Sequence, residues 1–136
     1  MNQSNEVREL TERAYAILTT GQGDPAALFA DEEGVLAIGS DPDEWWEGPD
    51  RIAEVFRAQG EALAGSRVEG SKPAAYAEGD AGWVADRPTI VMPDGTRVSF
   101  RITATAVRSA GVWRFVQWHG SVGVPNEEAV GRELPT

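Results

Sequence analysis

The stretch GVWRFVQWHGSVGVP, residues 111–125, carries the clearest indication of the fold, because residues 112–122 predict a long strand near the end of the chain. It holds Trp118 and His119, the only histidine of the protein. Successive side chains of a strand point to opposite faces, so these two side chains should lie on different sides of a sheet. Since the apolar face packs on helices, Trp118 is predicted to face the interior and His119 the outside, unless a bulge shifts the alternation.

Three further strand patterns precede this one. The strictest alternation covers residues 96–108, where polar residues separate the apolar Val98, Phe100, Ile102, Ala104 and Ala106. The group MPDGT, residues 92–96, predicts a hairpin turn that connects this strand to another over residues 81–92. A strand over residues 66–78 contains a glycine and a proline, which are typical of a bulge, a bend or a sheet edge. The second half of the chain is therefore predicted to form about four long antiparallel strands.

Helical patterns dominate the first half. Residues 5–19 repeat apolar side chains at helical spacing, and Asp24-Pro25 predicts the start of a short helix with an aspartate N-cap. The run GVLAIG, residues 34–39, predicts a buried strand, whereas residues 40–48 are rich in turn residues. Gly48-Pro49-Asp50 predicts the start of a second long helix. Helices followed by a strand meander predict an α+β cone, a curved sheet wrapped by helices in the order α-α-β-α-β-β-β-β.

Length and charge narrow the classes of function. The chain of 136 residues suits a single domain over residues 1–136, with a core over about 5–125 and a polar tail over 126–136. Its net charge of −10 opposes binding to nucleic acid or to an anionic membrane. No cysteine, long apolar run or secretory signal is visible, so we expect a cytoplasmic protein.

Two motifs resemble one known family. The segment DPDEWWEGPDRI, residues 41–52, followed by a helix, a hairpin at PDG and GVWRFVQWHGSVGVP, resembles the SnoaL-like branch of the nuclear transport factor 2-like superfamily over about residues 5–125. The resemblance implies a cone-shaped α+β fold, a pocket between sheet and helices, and a homodimer packed sheet against sheet. The superfamily includes ketosteroid isomerases, polyketide cyclases, dehydratases and kinase association domains, so it implies no single activity.

Aromatic residues are the first candidates for ligand binding. Trp46, Trp83 and Trp118 are predicted to form an aromatic wall for a flat apolar ligand, and Tyr15 lies in the apolar arc of the first helix. The alternative for these side chains is a packing role in the core. Arg87 follows Trp83 at strand spacing and resembles a cavity arginine of the kinase association domains. It is predicted either to bind a carboxylate ligand or to form an ion pair with an acid of the chain.

The enzyme hypothesis depends on acids that the pattern does not place in the pocket. A ketosteroid isomerase needs a carboxylate base, a tyrosine and a protonated aspartate. Tyr15 is available, but no acid falls on the predicted apolar face of the later strands, and Asp86 has the opposite parity from Trp83. Steroid isomerisation is therefore disfavoured. The alternative enzyme is a cyclase, isomerase or dehydratase that uses His119 and an acid of residues 41–44 as its acid/base pair.

Metal and cofactor sites are not indicated. Asp41, Asp43 and Glu44 lack the register of a calcium-binding loop and are predicted to cap a turn. One histidine and no cysteine supply too few ligands for a transition metal, and no phosphate-binding or dinucleotide-binding motif is present. We therefore expect a homodimer that binds a small apolar or carboxylate-bearing molecule without a cofactor. The alternatives are the enzyme above and a pure dimerisation or regulatory module.

Overall fold

The computed structural model describes residues 1–136, with three helices, one 3-10 turn at Pro25–Ala27 and ten strands. The helices are α1 (Asn5–Thr20), α2 (Pro49–Ala62) and α3 (Asn126–Val130). The strands are β1 (Asn2–Gln3), β2 (Leu36–Ile38), β3 (Trp45–Glu47), β4 (Arg67–Glu69), β5 (Ala74–Glu78), β6 (Ala81–Asp86), β7 (Thr89–Val91), β8 (Arg97–Ser99), β9 (Arg101–Ser109) and β10 (Val112–Ser121).

The strands form two sheets. Seven strands form the main sheet in the order β1-β5-β6-β9-β10-β2-β3, and β4-β7-β8 form a small second sheet. All pairs are antiparallel except β10 with β2, which run parallel. Helices α1 and α2 pack together against the concave side of the main sheet. The predicted α+β cone is therefore confirmed.

Helix α1 begins and ends at the residues that local chemistry favours. The Ser4 side chain accepts a hydrogen bond from the Val7 backbone N–H, which caps the first turn. Gly21 adopts the left-handed conformation after the last turn, with φ of 70°, and its N–H donates to the carbonyl of Ile17. The apolar residues at helical spacing, such as Leu10, are buried and attach the helix to the sheet.

Helix α2 begins with Pro49 in its first turn and buries Ile52 and Phe56 against α1 and the sheet. The two helices approach most closely at Gly60. A Cβ atom at Gly60 would overlap the backbone carbonyl of Ile17. Glycine at this position therefore permits the helix contact that closes one side of the fold.

Three of the four long strands predicted in the second half are divided between the two sheets, whereas the strand predicted over residues 112–122 is the undivided β10. The strand predicted over residues 66–78 splits into β4 and β5, that over 81–92 into β6 and β7, and that over 96–108 into β8 and β9. Proline interrupts the first two at Pro73 and Pro88, since proline donates no ladder hydrogen bond. The prediction of continuous strands was wrong because the chain crosses to a second sheet at these points.

Two other segments differ from the sequence-based expectation. Residues 45–47, predicted as part of an irregular turn, form strand β3 on the edge of the main sheet. The polar tail contains the short helix α3. None of the helices combines the length and the apolar character that a membrane crossing requires.

A β-bulge in β10 changes which side chains face the core. The pairing with β9 shifts between Phe115 and Gln117. Phe115 and Trp118 therefore both face inward, and their rings meet edge to face with centroids 5.3 Å apart. Simple alternation placed these two residues on opposite faces, so it was wrong for Phe115.

Candidate functional site

An apolar cavity lies between the two sheets and the inner sides of α1 and α2. Its volume is about 320 Å³, and thirteen of the twenty residues that line it are hydrophobic. Ligand-binding clefts in proteins begin at about this size. The residues beneath it, including Phe29 and Phe115, are fully buried and packed ring against ring, so the cavity is a distinct space above a solid core.

Aromatic rings form one wall of the cavity. Trp118 contacts Phe56 and Tyr15 edge to face, with centroid distances of 5.6 Å and 6.2 Å. Trp46 on β3 lies on the same face as Trp118, because both are paired with the small residue Ala37 of β2. Ala37 leaves room between the two indoles. The structure therefore brings Tyr15, Trp46 and Trp118 into one cavity wall, and their contact with a ligand stays a prediction.

Glu44 is the one carboxylate in the cavity wall. Its Oε1 accepts a hydrogen bond from the Asp41 backbone N–H at 3.0 Å, and its Oε2 accepts one from Nε2 of Gln59 at 3.3 Å. The side chain lies against Gly39, where a Cβ atom would meet it within 2.8 Å. From the sequence, Glu44 was predicted to cap a turn with Asp41 and Asp43, and it was one of the acids of residues 41–44 considered as a partner for His119. No group of three or more histidine, aspartate or glutamate side chains is placed to hold a metal ion.

Asp86 is buried behind the cavity, which corrects the prediction that no acid lies on the inner face of the later strands. Only 8% of its surface is exposed, and its Oδ2 accepts a hydrogen bond from the Tyr15 hydroxyl at 2.9 Å. It also accepts hydrogen bonds from the Ser71 hydroxyl and from the backbone N–H groups of Lys72 and Arg87. Four donors match an ionised carboxylate that only accepts.

Trp83 and Arg87 do not line the cavity, contrary to the prediction for both. Trp83 is 39% exposed on the outer face of the main sheet and stacks on Tyr76, with ring centroids 5.0 Å apart. Arg87 is exposed at the end of the same strand. The inward positions of β6 belong instead to Gly82, Val84 and Asp86. The glycine at position 82 could have indicated which face of β6 is buried, because its missing side chain lets α1 approach the strand.

His119 lies on the outer side of the main sheet, away from the cavity. Its neighbours Trp118 and Gly120 line the cavity, and alternation turns the half-buried imidazole to the opposite face, beside Thr103 of β9. Glu44 lies in the cavity wall, while Asp41 and Asp43 are exposed. The predicted acid/base pair of His119 with an acid of residues 41–44 is therefore not formed.

The outer face of the main sheet carries exposed aromatic side chains. Trp45 is 59% exposed on this face, and Trp83 lies beside Thr105, which in turn is paired with Gln117. Between the two tryptophans the strand register places Thr105, Gln117 and the aliphatic Leu36 next to one another. The sheet-against-sheet homodimer implied by the family resemblance would cover this face, and it stays a prediction.

Alkaline pH is expected to destabilise the protein through Tyr15. Burial raises the pKa of Tyr15 well above its usual range, and the charge of Asp86 and their hydrogen bond raise it further. Above about pH 10 the unfolded chain releases the tyrosine proton and the folded chain keeps it, so stability present below that pH falls by about 1.4 kcal/mol per pH unit. Urea unfolding followed by circular dichroism between pH 9 and about 11 measures this decline.

The matched variants for this experiment are Tyr15→Phe and Tyr76→Phe. Tyr15→Phe should flatten the decline, since the variant has no proton to lose at this site. Tyr76→Phe removes the other tyrosine of the chain, which is partly exposed. This variant should show most of the decline in stability that the wild type shows at alkaline pH. Equal slopes in the wild type and Tyr15→Phe would contradict the assignment.

Comparison with known proteins identifies related folds. A family model described as SnoaL-like domain matches residues 7–125. A nuclear transport factor 2-like protein of unknown function from Pseudomonas putida shares 19% identity over 93% of this chain and 94% of its own, with a TM-score of 0.76. A protein with a cystatin-like fold from Caulobacter vibrioides shares 20% identity over 92% of both chains, with a TM-score of 0.72.

A ketosteroid isomerase candidate from Parabacteroides distasonis shares 14% identity over 91% of this chain and 92% of its own, with a TM-score of 0.70. No curated protein sequence matches the chain. At these identities the solved structures show the fold alone, because one fold supports many activities.

Proposed function

The chain belongs to the SnoaL-like domain family, and from this premise we propose that it binds a small, largely apolar organic molecule in the cavity between its sheets and its helices. The observation that carries the proposal is the cavity of about 320 Å³ with its wall of aromatic and aliphatic side chains. Water in such a space gains few hydrogen bonds from the wall. An apolar ligand that replaces it contributes about 25 cal/mol for each Å² of apolar surface removed from water.

Binding is better supported than catalysis by the polar groups around this space. The Asp86 carboxylate accepts four hydrogen bonds from the protein, so it has little remaining capacity to act as a base toward a ligand. The imidazole of His119 lies on the other side of the sheet. A cyclase, isomerase or dehydratase would need a free acid/base pair in the cavity, and Glu44 alone does not supply one.

The alternative of a dimerisation or regulatory module rests on the exposed tryptophans of the outer sheet face, Trp45 and Trp83. This face is opposite the cavity wall, so pairing of two chains there and binding of a ligand inside are compatible. The exposed aromatics support a second copy of the chain as the partner for that face.

Filling the cavity should abolish ligand binding. Val68 of β4 is partly exposed in the cavity wall, and the larger side chain of Val68→Trp is expected to occupy the space. The uncharged fluorescent probe N-phenyl-1-naphthylamine should bind the wild type saturably and bind Val68→Trp at least about tenfold more weakly. A fluorescence titration measures both.

The matched control is Val112→Trp, which adds the same volume at an exposed position outside the cavity. It should bind the probe as the wild type does, and circular dichroism should show that both variants are folded. Absence of saturable binding to the wild type, or undiminished binding to a folded Val68→Trp, would refute the proposed function.

A further inference from the structure

The cavity wall contains one negative charge and no positive charge. Among the twenty lining residues, Glu44 is the only acid, and no lysine, arginine or histidine is present. Tyr15 is the only other titratable group there, and its raised pKa keeps it neutral. A ligand with a carboxylate would find repulsion and no counter-charge in this space. Arg87, from which a carboxylate-bearing ligand was expected, lies outside the cavity wall, so the wall does not favour such a ligand.

The Glu44 carboxylate is held in position by the loop of residues 39–41 and by helix α2. The backbone N–H of Asp41 and the amide of Gln59 on α2 each donate to one of its oxygens, and Gly39 leaves the space against which the side chain lies. Glu44 is half-buried, yet no cationic side chain forms an ion pair with it. Both donors to Glu44 are uncharged groups, so its carboxylate has no counter-charge within the chain. Each carboxylate oxygen can accept more than one hydrogen bond, which leaves capacity for a cationic group of a ligand.

The remaining polar groups of the wall are compatible with a cationic ligand. Because the Tyr15 hydroxyl donates a hydrogen bond to Asp86 and keeps its proton, its oxygen has lone pairs that a donor group of a ligand can use. The indole N–H groups of Trp46 and Trp118 are donors without charge, and the faces of aromatic rings attract cations. An apolar wall of this kind, with one fixed carboxylate, is complementary to an apolar molecule that ends in an ammonium group.

We propose that the cavity selects apolar molecules that carry a protonated amine, and that the Glu44 carboxylate binds this amine while the aromatic wall holds the apolar body. The proposal rests on the proposed function and deepens it by naming the charge of the ligand. The net charge of −10 acts in the same direction, since it attracts cations and repels anions at a distance.

Three probes with the same apolar body test the proposal: 4-phenylbutylamine, 4-phenylbutan-1-ol and 4-phenylbutanoate. Isothermal titration calorimetry at pH 7 and low salt should give the tightest binding for the amine, about tenfold tighter than the alcohol, and the weakest for the carboxylate. Glu44→Gln should remove this preference by weakening the amine about tenfold while the alcohol stays within about twofold.

Glu47→Gln is the matched control, because it removes the same charge from an exposed position at the end of β3, three residues after Glu44 and outside the cavity wall. It should leave all three affinities nearly unchanged. Equal binding of amine and alcohol by the wild type, or an equal effect of Glu44→Gln and Glu47→Gln on the amine, would overturn the inference and leave the proposed function standing. Binding of none of the three probes would overturn both. The comparison of amine with alcohol in the wild type needs no variant to fold.

Discussion

Replacing Asp86 by alanine is expected to lower the free energy of unfolding by about 3–5 kcal/mol, the largest effect of any single substitution proposed for this protein. The substitution removes one carboxylate and leaves four donors without their acceptor: the hydroxyl groups of Tyr15 and Ser71 and the backbone N–H groups of Lys72 and Arg87. Urea unfolding at pH 7, followed by circular dichroism, measures the loss.

The control for this substitution is Asp80→Ala. Asp80 is an exposed aspartate whose one ion pair, to Arg108, spans 2.9 Å at the surface, so its loss should cost about 1 kcal/mol or less. Asp86→Asn should fall between the two, because the amide keeps one acceptor and introduces two donors among existing donors. Through these hydrogen bonds Asp86 connects Tyr15 of α1 with Ser71 and Lys72 in the loop between β4 and β5. A loss below about 1 kcal/mol in Asp86→Ala would show that water replaces the carboxylate and that this connection contributes little.

Replacing Gly60 by alanine is expected to destabilise the protein by about 2 kcal/mol, against the usual preference of helices for alanine. The new methyl group would overlap the carbonyl oxygen of Ile17 and contact Gly21, so α1 and α2 must move apart. Backbone atoms cannot turn aside as a flexible side chain can. Thermal unfolding followed by circular dichroism is the measurement, with a lower melting temperature as the expected result.

Ala58→Gly on the same helix separates the helix contact from helix propensity. Ala58 is exposed, so its replacement should cost only the intrinsic preference of about 1 kcal/mol. If Gly60→Ala instead raised the melting temperature, the close contact between the two helices would not exist in solution.

Local patterns predicted the elements whose signals lie within a few residues. The apolar spacing over residues 5–19 and the Gly48-Pro49-Asp50 helix start act within a few residues, so α1 and the start of α2 were predicted. Alternation could not show that a run such as residues 96–108 belongs to two sheets, because both halves keep the same period. The change of sheet depends on partners that are distant in the sequence.

The candidate site was predicted in part. Tyr15, Trp46 and Trp118 lie in the cavity wall, as the sequence pattern and the family resemblance suggested. Trp83 and Arg87 were predicted to line the cavity because Trp83 was taken as an inward residue of β6. The same choice of face predicted that Asp86 points outward, whereas its side chain is buried. A strand pattern states which residues share a face, and packing against the helices decides which face is buried.

The sequence by itself determined the family, the α+β class and the starts of α1 and α2, because these follow from short-range chemistry and from motifs such as residues 111–125. Only the tertiary structure decided that Asp86 is buried beside Tyr15, that Phe115 faces inward together with Trp118, and that Glu44 is the only acid in the cavity wall. The physical reason is that burial and charge pairing arise between segments far apart in the chain, and a bulge or the choice of buried sheet face reverses the predicted direction of individual side chains.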